Sequence, residues 1–356
     1  MTAHASPAQP SRPWGKATRY IGGSIAAIIV YTLLLWLALV PTQGLTLEQA
    51  LPNAIQQTVN ALSIGSIYAL IALGYTMVYG IIELINFAHG DIFMVGAFVS
   101  VIFLGGIMGQ SGAVQNIPFL ILLVVGALVF TMPIIGVLNV AIERVVYRPL
   151  RNAPRLAPLI TAIGVSFILQ NIALVIAGSG DRSAPQVFPL GAQIKIGQAS
   201  ISVLSIFIFV LSLSLMLALQ AFITRTRLGR AMRATAQDRE AASLMGVDMN
   251  QTIALTFLLG GMLAAAAGVV WGLRFGYVRQ DLGFNAGLKA FTSAVLGGIG
   301  NVTGAVLGGF VIGFVENFAS SVGQSRWSEF LVFMVLTFVL LFKPSGLFGQ
   351  ATGDRA

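Results

Sequence analysis

Apolar runs of about twenty residues recur along almost the whole chain, and few of them contain a charge. A run of that length crosses a bilayer as a helix. In lipid every backbone N–H and C=O must be satisfied within the protein, which leaves helices or closed barrels as spanning forms. Hydrophobic residues make up 56% of the chain and charged residues 9%, against about 25% charged in soluble domains. The expected fold is all-α: a polytopic helical membrane protein of about 8–10 transmembrane segments, broken half-helices included.

Residues 1–19 are polar and read as a disordered cytosolic tail; a single transmembrane domain over 20–349 and a short cytosolic tail over 350–356 complete the division. The first run, 20–40, is longer than a cleaved signal peptide's core and is expected to stay as a span. Further spans are expected at 54–79, 92–107, 117–142, 157–177, 200–223 and 252–271. A Gly/Pro/Ser-rich outer loop covers 178–199. The run 288–299 is too short for a regular span and reads as a half-helix broken at GGIGN, followed by 304–322 and a last run at 330–342.

Two interruptions stand out. In GIIELINFAHGD (80–91), Glu83, Asn86, His89 and Asp91 crowd into an otherwise apolar region. A charge at the bilayer centre costs roughly 2.5–3.5 kcal/mol on insertion scales, so these groups must reach the interface, line a wet cavity or pair together. For His89 and Asp91 the functional reading is a relay or ligand. The structural reading puts Asp91 at a helix start, where the dipole favours it, with His89 packed at the interface. The second interruption is glycine-rich: Gly297, Gly298, Gly300, Gly304 and Gly308, then Gly309 and Gly313, read as packing and flexing elements in small-xxx-small pairs. Thr161, Ser166, Gln170 and Asn171 in the 157–177 span, with Glu316 and Asn317, are further candidates for a solute path or for interhelical hydrogen bonds. The stretches 74–96 and 293–317 share a Gly-rich break with a nearby carboxylate, a possible inverted repeat.

The longest charged island is 224–250, TRTRLGRAMRATAQDREAASLMGVDMN. Arginines between two spans mark a cytoplasmic loop. Its second half reads as a short helix. Thr235 and Asp238 supply the start signal, Ala241, Ala242, Leu244 and Met245 an apolar face, and Gly246 the stop. With ten crossings and an inner N-terminus, fourteen of the twenty Lys and Arg residues fall on the cytoplasmic side. The net charge of +8 therefore reflects membrane topology, and no nucleic-acid partner is expected. There is no cysteine, only two histidines, no G-x-x-x-x-G-K-[ST] phosphate loop and no catalytic signature, so no metal site, ATP hydrolysis or enzyme activity is expected.

Residues 240–246, EAASLMG, resemble the EAA-x-x-x-G loop of ABC importer permeases. The segments 74–100, 147–171, the island and KPSGLFG (343–349) resemble the LivH-type branch of branched-chain amino acid permeases, over about 54–349. The resemblance implies a bacterial inner-membrane subunit, surrounded by lipid, with both termini cytoplasmic. It pairs with a second homologous permease or with itself. Two cytoplasmic ABC ATPase subunits hold ATP-Mg, no cofactor is bound by this chain, and a periplasmic solute-binding protein delivers leucine, isoleucine or valine. Coupling to the ATPases would fall to Arg233, Asp238, Glu240, Ala241, Ala242 and Gly246. The alternative is an ion-coupled secondary transporter of amino acids, amides or urea, which the intramembrane acids would suit.

Overall fold

A computed structural model describes residues 13–349 apart from 152, 155 and 190, with the backbone alone at 13–22 and 196. The tail segments 1–12 and 350–356 lie outside the described residues. The first helix, α1 (Pro13–Gln43), takes in the last residues assigned to the tail. A tight joint at 44–46 leads to α2 (Leu47–Ile82), which opens on a capping box. Thr46 Oγ1 accepts from the Gln49 amide at 3.4 Å and Gln49 Oε1 from the Thr46 amide at 3.3 Å.

Then follow α3 (His89–Val101), which runs on as a π-helical turn, and α4 (Ile117–Ile142). Next come α5 (Leu156–Ala177), α6 (Val203–Arg225), α7 (Arg227–Gln237), α8 (Arg239–Leu244) and α9 (Met249–Phe275). The chain ends on α10 (Leu282–Gly297), α11 (Val302–Ser321) and α12 (Ser328–Phe342). Among the described residues nine helical segments are long and apolar enough to cross a membrane. The tenth candidate, α10, has 16 residues and spans roughly 24 Å, short of the ~30 Å hydrocarbon core. It begins at Leu282, six residues before the run that announced it.

The outer loop at 178–199 is not structureless. β2 (Gln193–Ile196) and β3 (Ala199–Ser202) form an antiparallel hairpin, and β1 (Arg182–Ser183) pairs with β4 (Tyr277–Val278) beyond the end of α9. These short strands pair extended backbone between the helices and leave the helical architecture intact.

α2 is the central strut. Residues 65–78 are buried on every side, as expected of a helix that is apolar all round. The large apolar side chains of α1 and α4, among them Ile29, Leu33, Leu122 and Val129, point outward instead, as a lipid-facing surface requires. Lipid tails are as apolar as leucine, so helices join through close van der Waals contact, which small residues permit. On α11, Gly309 lies against Ala69 and Gly313 against Gly65 of α2, while Gly304 and Gly308 face Gly297 and the Ser293 carbonyl of α10. The glycines thus serve two neighbours from two faces of one helix. Gly300 belongs to neither: it sits in the break before α11 with φ +89°, next to Gly80. Elsewhere Gly96 and Gly268 join α3 to α9, Gly136 and Gly261 join α4 to α9, and Gly74 meets Gly260 where α2 crosses α9.

A side chain at Gly313 would press on the α2 backbone, whereas one at Gly164 would meet open space. Gly313→Leu is expected to cost about 1–3 kcal/mol through overpacking, read as a lower melting temperature in detergent. Gly164→Ala should leave the melting temperature unchanged.

Candidate functional site

At one end of the bundle α6 turns at Thr226 into α7. Thr226 Oγ1 accepts from the Gly229 amide at 2.9 Å, and Gly229 packs so tightly on the Phe222 and Ile223 carbonyls that no side chain fits. The Arg233 guanidinium donates to the Ile223 carbonyl, capping the end of α6. Arg233 therefore fastens the island to its own span. α8 begins at Asp238, whose Oδ1 accepts from the Ala241 amide at 3.0 Å. Thr235 is no cap: it is buried in α7 and donates to the Ala231 carbonyl. Of the apolar face expected on α8, only Ala242 is buried. Glu240 and Ala241 are exposed, and Leu244 and Met245 stand 87% and 85% exposed at its tip. Gly246 then turns the chain with φ +83°, where a side chain would be strained.

Arg239 ties this helix to the bundle. Its Nη2 and Nε donate to the Ile81 carbonyl at 2.6 and 3.0 Å. Ile81 is in the last turn of α2, whose carbonyls have no partner of their own. Arg151 makes a parallel clamp, pairing with the buried Glu143 and donating to Asn250 Oδ1 at 2.8 Å. The C-terminal segment packs at the same end: Leu347 and Phe348 amides donate to the Leu296 and Gly297 carbonyls at 2.8 and 3.0 Å.

The α2 helix stops at Glu83, which adopts a left-handed conformation (φ 58°), uncommon for a residue with a side chain. The chain then turns back inward, so that α3 begins beside the middle of α2. His89, its first residue, is not interfacial. It is fully buried against Gly74 and Gly260, edge-on to Tyr75 with ring centroids 4.8 Å apart. Neither ring nitrogen makes a well-formed hydrogen bond, the Ile71 carbonyl being the nearby backbone acceptor. Asp91, in the first turn of α3 and 1% exposed, accepts from Ser166 Oγ through Oδ2, while Oδ1 makes no well-formed hydrogen bond, Gln170 being the nearby second donor to the carboxylate. Gln170 Nε2 donates to the same Ser166 Oγ at 3.2 Å. Asn86 Oδ1 accepts from the Tyr147 hydroxyl at 2.7 Å. Beside this cluster a cavity of about 180 Å³ opens between α2, α5 and α10, lined by Tyr75, Phe87, Ser166, Phe167, Gln170 and Gly283. Its walls are mostly apolar with a small polar edge, the usual makeup of a site for a small organic solute.

The other path candidates lie elsewhere. Asn171 faces outward and donates to the Phe167 carbonyl of its own helix, one position round from Gln170. Asn317 is taken up in packing: it accepts from the Tyr31 hydroxyl of α1 at 3.1 Å and donates to Gln57 of α2 at 3.5 Å. Glu316 pairs with Lys289 Nζ at 2.8 Å on the far side of α10. Among the described residues no group of three or more His, Cys, Asp or Glu side chains is arranged to hold a metal ion. The interhelical hydrogen bond expected of Ser166 is present, but its pairing with Asp91 and the anchoring of α8 by Arg239 were not foreseen, since both depend on contacts distant in the chain.

Broken helices meeting around a buried carboxylate, inside a bundle with lipid-facing flanks, define a polytopic helical membrane permease. The chain belongs to the family described as branched-chain amino acid transport system / permease component, whose model matches residues 57–340. It is 43% identical over 306 residues to the high-affinity branched-chain amino acid transport system permease protein BraD of Pseudomonas aeruginosa, covering 85% of this chain and 97% of that one. Identity to the corresponding permease protein LivH of Escherichia coli K12 is 42% over the same coverage. The autoinducer 2 import system permease protein LsrC of Klebsiella pneumoniae is 36% identical over 133 residues, 35% of this chain and 39% of its own length. No solved structure matches. Proteins of this family are transport permeases and not enzymes.

Hydrogen bonds from a charged donor contribute about 1.5–3 kcal/mol. Arg239→Ala is therefore expected to loosen α8 from α2, with roughly ten- to hundredfold faster amide exchange over 239–247. Unchanged protection would show that Arg239 is not the anchor.

Proposed function

We propose that this chain is one permease subunit of an ATP-driven importer of branched-chain amino acids in a bacterial inner membrane. It pairs with a homologous permease or a second copy of itself. Two ABC ATPases holding ATP-Mg bind at the α8 end, and a solute-binding protein delivers substrate at the other. N- and C-termini lie on the ATPase side. The relatives' role in branched-chain amino acid transport supports the substrate class. The observation that carries the mechanism is the bare tip of α8. Leu244 and Met245 are apolar, exposed and outside the span, on a helix that Arg239 locks to the end of α2.

Two exposed apolar side chains on a short anchored helix make a knob suited to an apolar cleft on another polypeptide. A push on that knob reaches α2 through the Ile81 carbonyl. It then reaches the cavity, because Tyr75 lines it and Gly74 holds the His89 ring at the start of α3. Movement of α2 against α3 and α10 opens the cavity to one side of the membrane or the other. Ser166 and Gln170 offer polar contacts at the cavity edge, with Asp91 behind Ser166, and the aromatic rings of Tyr75 and Phe87 suit an aliphatic side chain.

Two tests follow. Leu244→Glu combined with Met245→Glu is expected to abolish co-purification of the ATPases while the permease remains monodisperse; full recovery of the complex would remove the docking role. In proteoliposomes, leucine uptake should require the ATPases and ATP. Uptake driven by an ion gradient through this chain alone would replace the importer with a secondary transporter.

A further inference from the structure

A second chamber lies at the opposite end of the bundle from α8, where α9 finishes. Its volume is about 240 Å³, below the ~300–1,000 Å³ of sites for drug-sized ligands. One wall is aromatic: Trp271 and Phe275 pack with ring centroids 4.0 Å apart, and Tyr277 stands edge-on to Trp271 at 6.4 Å. The opposite side carries charge. Lys289 on α10 pairs with Glu316 on α11 at 2.8 Å, both largely buried, and Arg279 and Glu329 complete the rim. Arg279 is already paired with Asp281.

The signs balance, so the chamber does not select a simple anion or cation. Two buried polar atoms in its lining lack a well-formed hydrogen bond. One is a donor, Trp271 Nε1, on a side chain 7% exposed; the other is an acceptor, Glu316 Oε2, for which the Tyr68 hydroxyl is a nearby donor. Leaving such groups unpaired in a low-dielectric setting is costly. A ligand with one anionic and one cationic end supplies both partners, and an apolar body fits the aromatic wall.

We propose that this chamber binds a small zwitterionic amino acid. Its carboxylate meets the Trp271 N–H and Lys289, its ammonium meets Glu316, and its aliphatic side chain lies against Trp271 and Phe275. The assignment rests on the import reading above and adds an entry site to it. Lys289 sits on α10, whose other face supplies Gly283 and Gly287 to the first cavity. A bound ligand that draws Lys289 from Glu316 therefore acts on the helix that separates the two spaces.

The test is binding of radiolabelled L-leucine to the full-length chain in lipid nanodiscs. Saturable binding is expected, displaced by excess L-leucine but not by isoamylamine, which lacks the carboxylate, or isocaproate, which lacks the ammonium. Glu316→Gln and Lys289→Gln should each weaken binding by at least about tenfold. Displacement by either half-analogue as effective as by leucine, undiminished binding in both variants, or no binding to the wild-type chain would each overturn the proposal. ATP-driven leucine uptake by the assembled transporter is measured alongside. Uptake without chamber binding removes the chamber alone; chamber binding in an assembly that imports no branched-chain amino acid removes the import reading and leaves the chamber standing.

Discussion

Close approach of backbones, made possible by residues without side chains, holds this protein together. Between helices in lipid there is no hydrophobic driving force, since tails and leucines are equally apolar. Stability must come from contact, and contact is greatest where Gly309 and Gly313 lie on Ala69 and Gly65, or Gly268 on the Phe93–Ala97 turn. This packing puts α2 and α9 at the densely packed centre of the bundle. It also frees the longer polar side chains for the places where the backbone leaves the helix.

Those departures are where side chains and segments distant in sequence close the backbone. At 83–88 the chain abandons α2, and the free carbonyl of Ile81 is taken by Arg239 from the loop helix. At 298–301 it leaves α10, and Asn301 Nδ2 reaches the Phe348 carbonyl at 2.8 Å while the C-terminal segment bonds back to Leu296 and Gly297. Each break is thus satisfied by a segment from elsewhere in the chain, as irregular backbone in a membrane demands. Both closures lie at the α8 end of the bundle. A force applied to α8 therefore meets the first break directly through Arg239 and the second through Gly80 beside Gly300, while the cavity beside Asp91 lies further along the same helices.

Much of this was legible from residues alone, and the limit has a physical cause. Span positions follow from apolar length, and α4 occupies the run assigned to it to the residue, because composition and hydrogen bonding coincide there. The breaks at 80–91 and 297–301 were visible because polar and glycine residues are expensive or weak inside a lipid helix. Partner choice was not visible. Asn171 and Gln170 are neighbours in sequence but point to different surroundings, and Asn317 proved to be a packing contact with Tyr31 beside a neighbour, Glu316, that faces a chamber. Helical periodicity places a residue on a face; which helix covers that face depends on the whole bundle. The hairpin at 193–202 was missed for a related reason, since its strands are short and hold together through pairing with each other.

The central claim is that α8 is a docking knob on the ATPase side of the membrane. The absence of native cysteine makes it open to a direct measurement: Met245→Cys creates a single thiol. In inside-out vesicles that thiol should react with a membrane-impermeant maleimide in the lone permease and be protected once the ATPases assemble. Labelling in right-side-out vesicles, or equal labelling with and without the ATPases, would contradict the account.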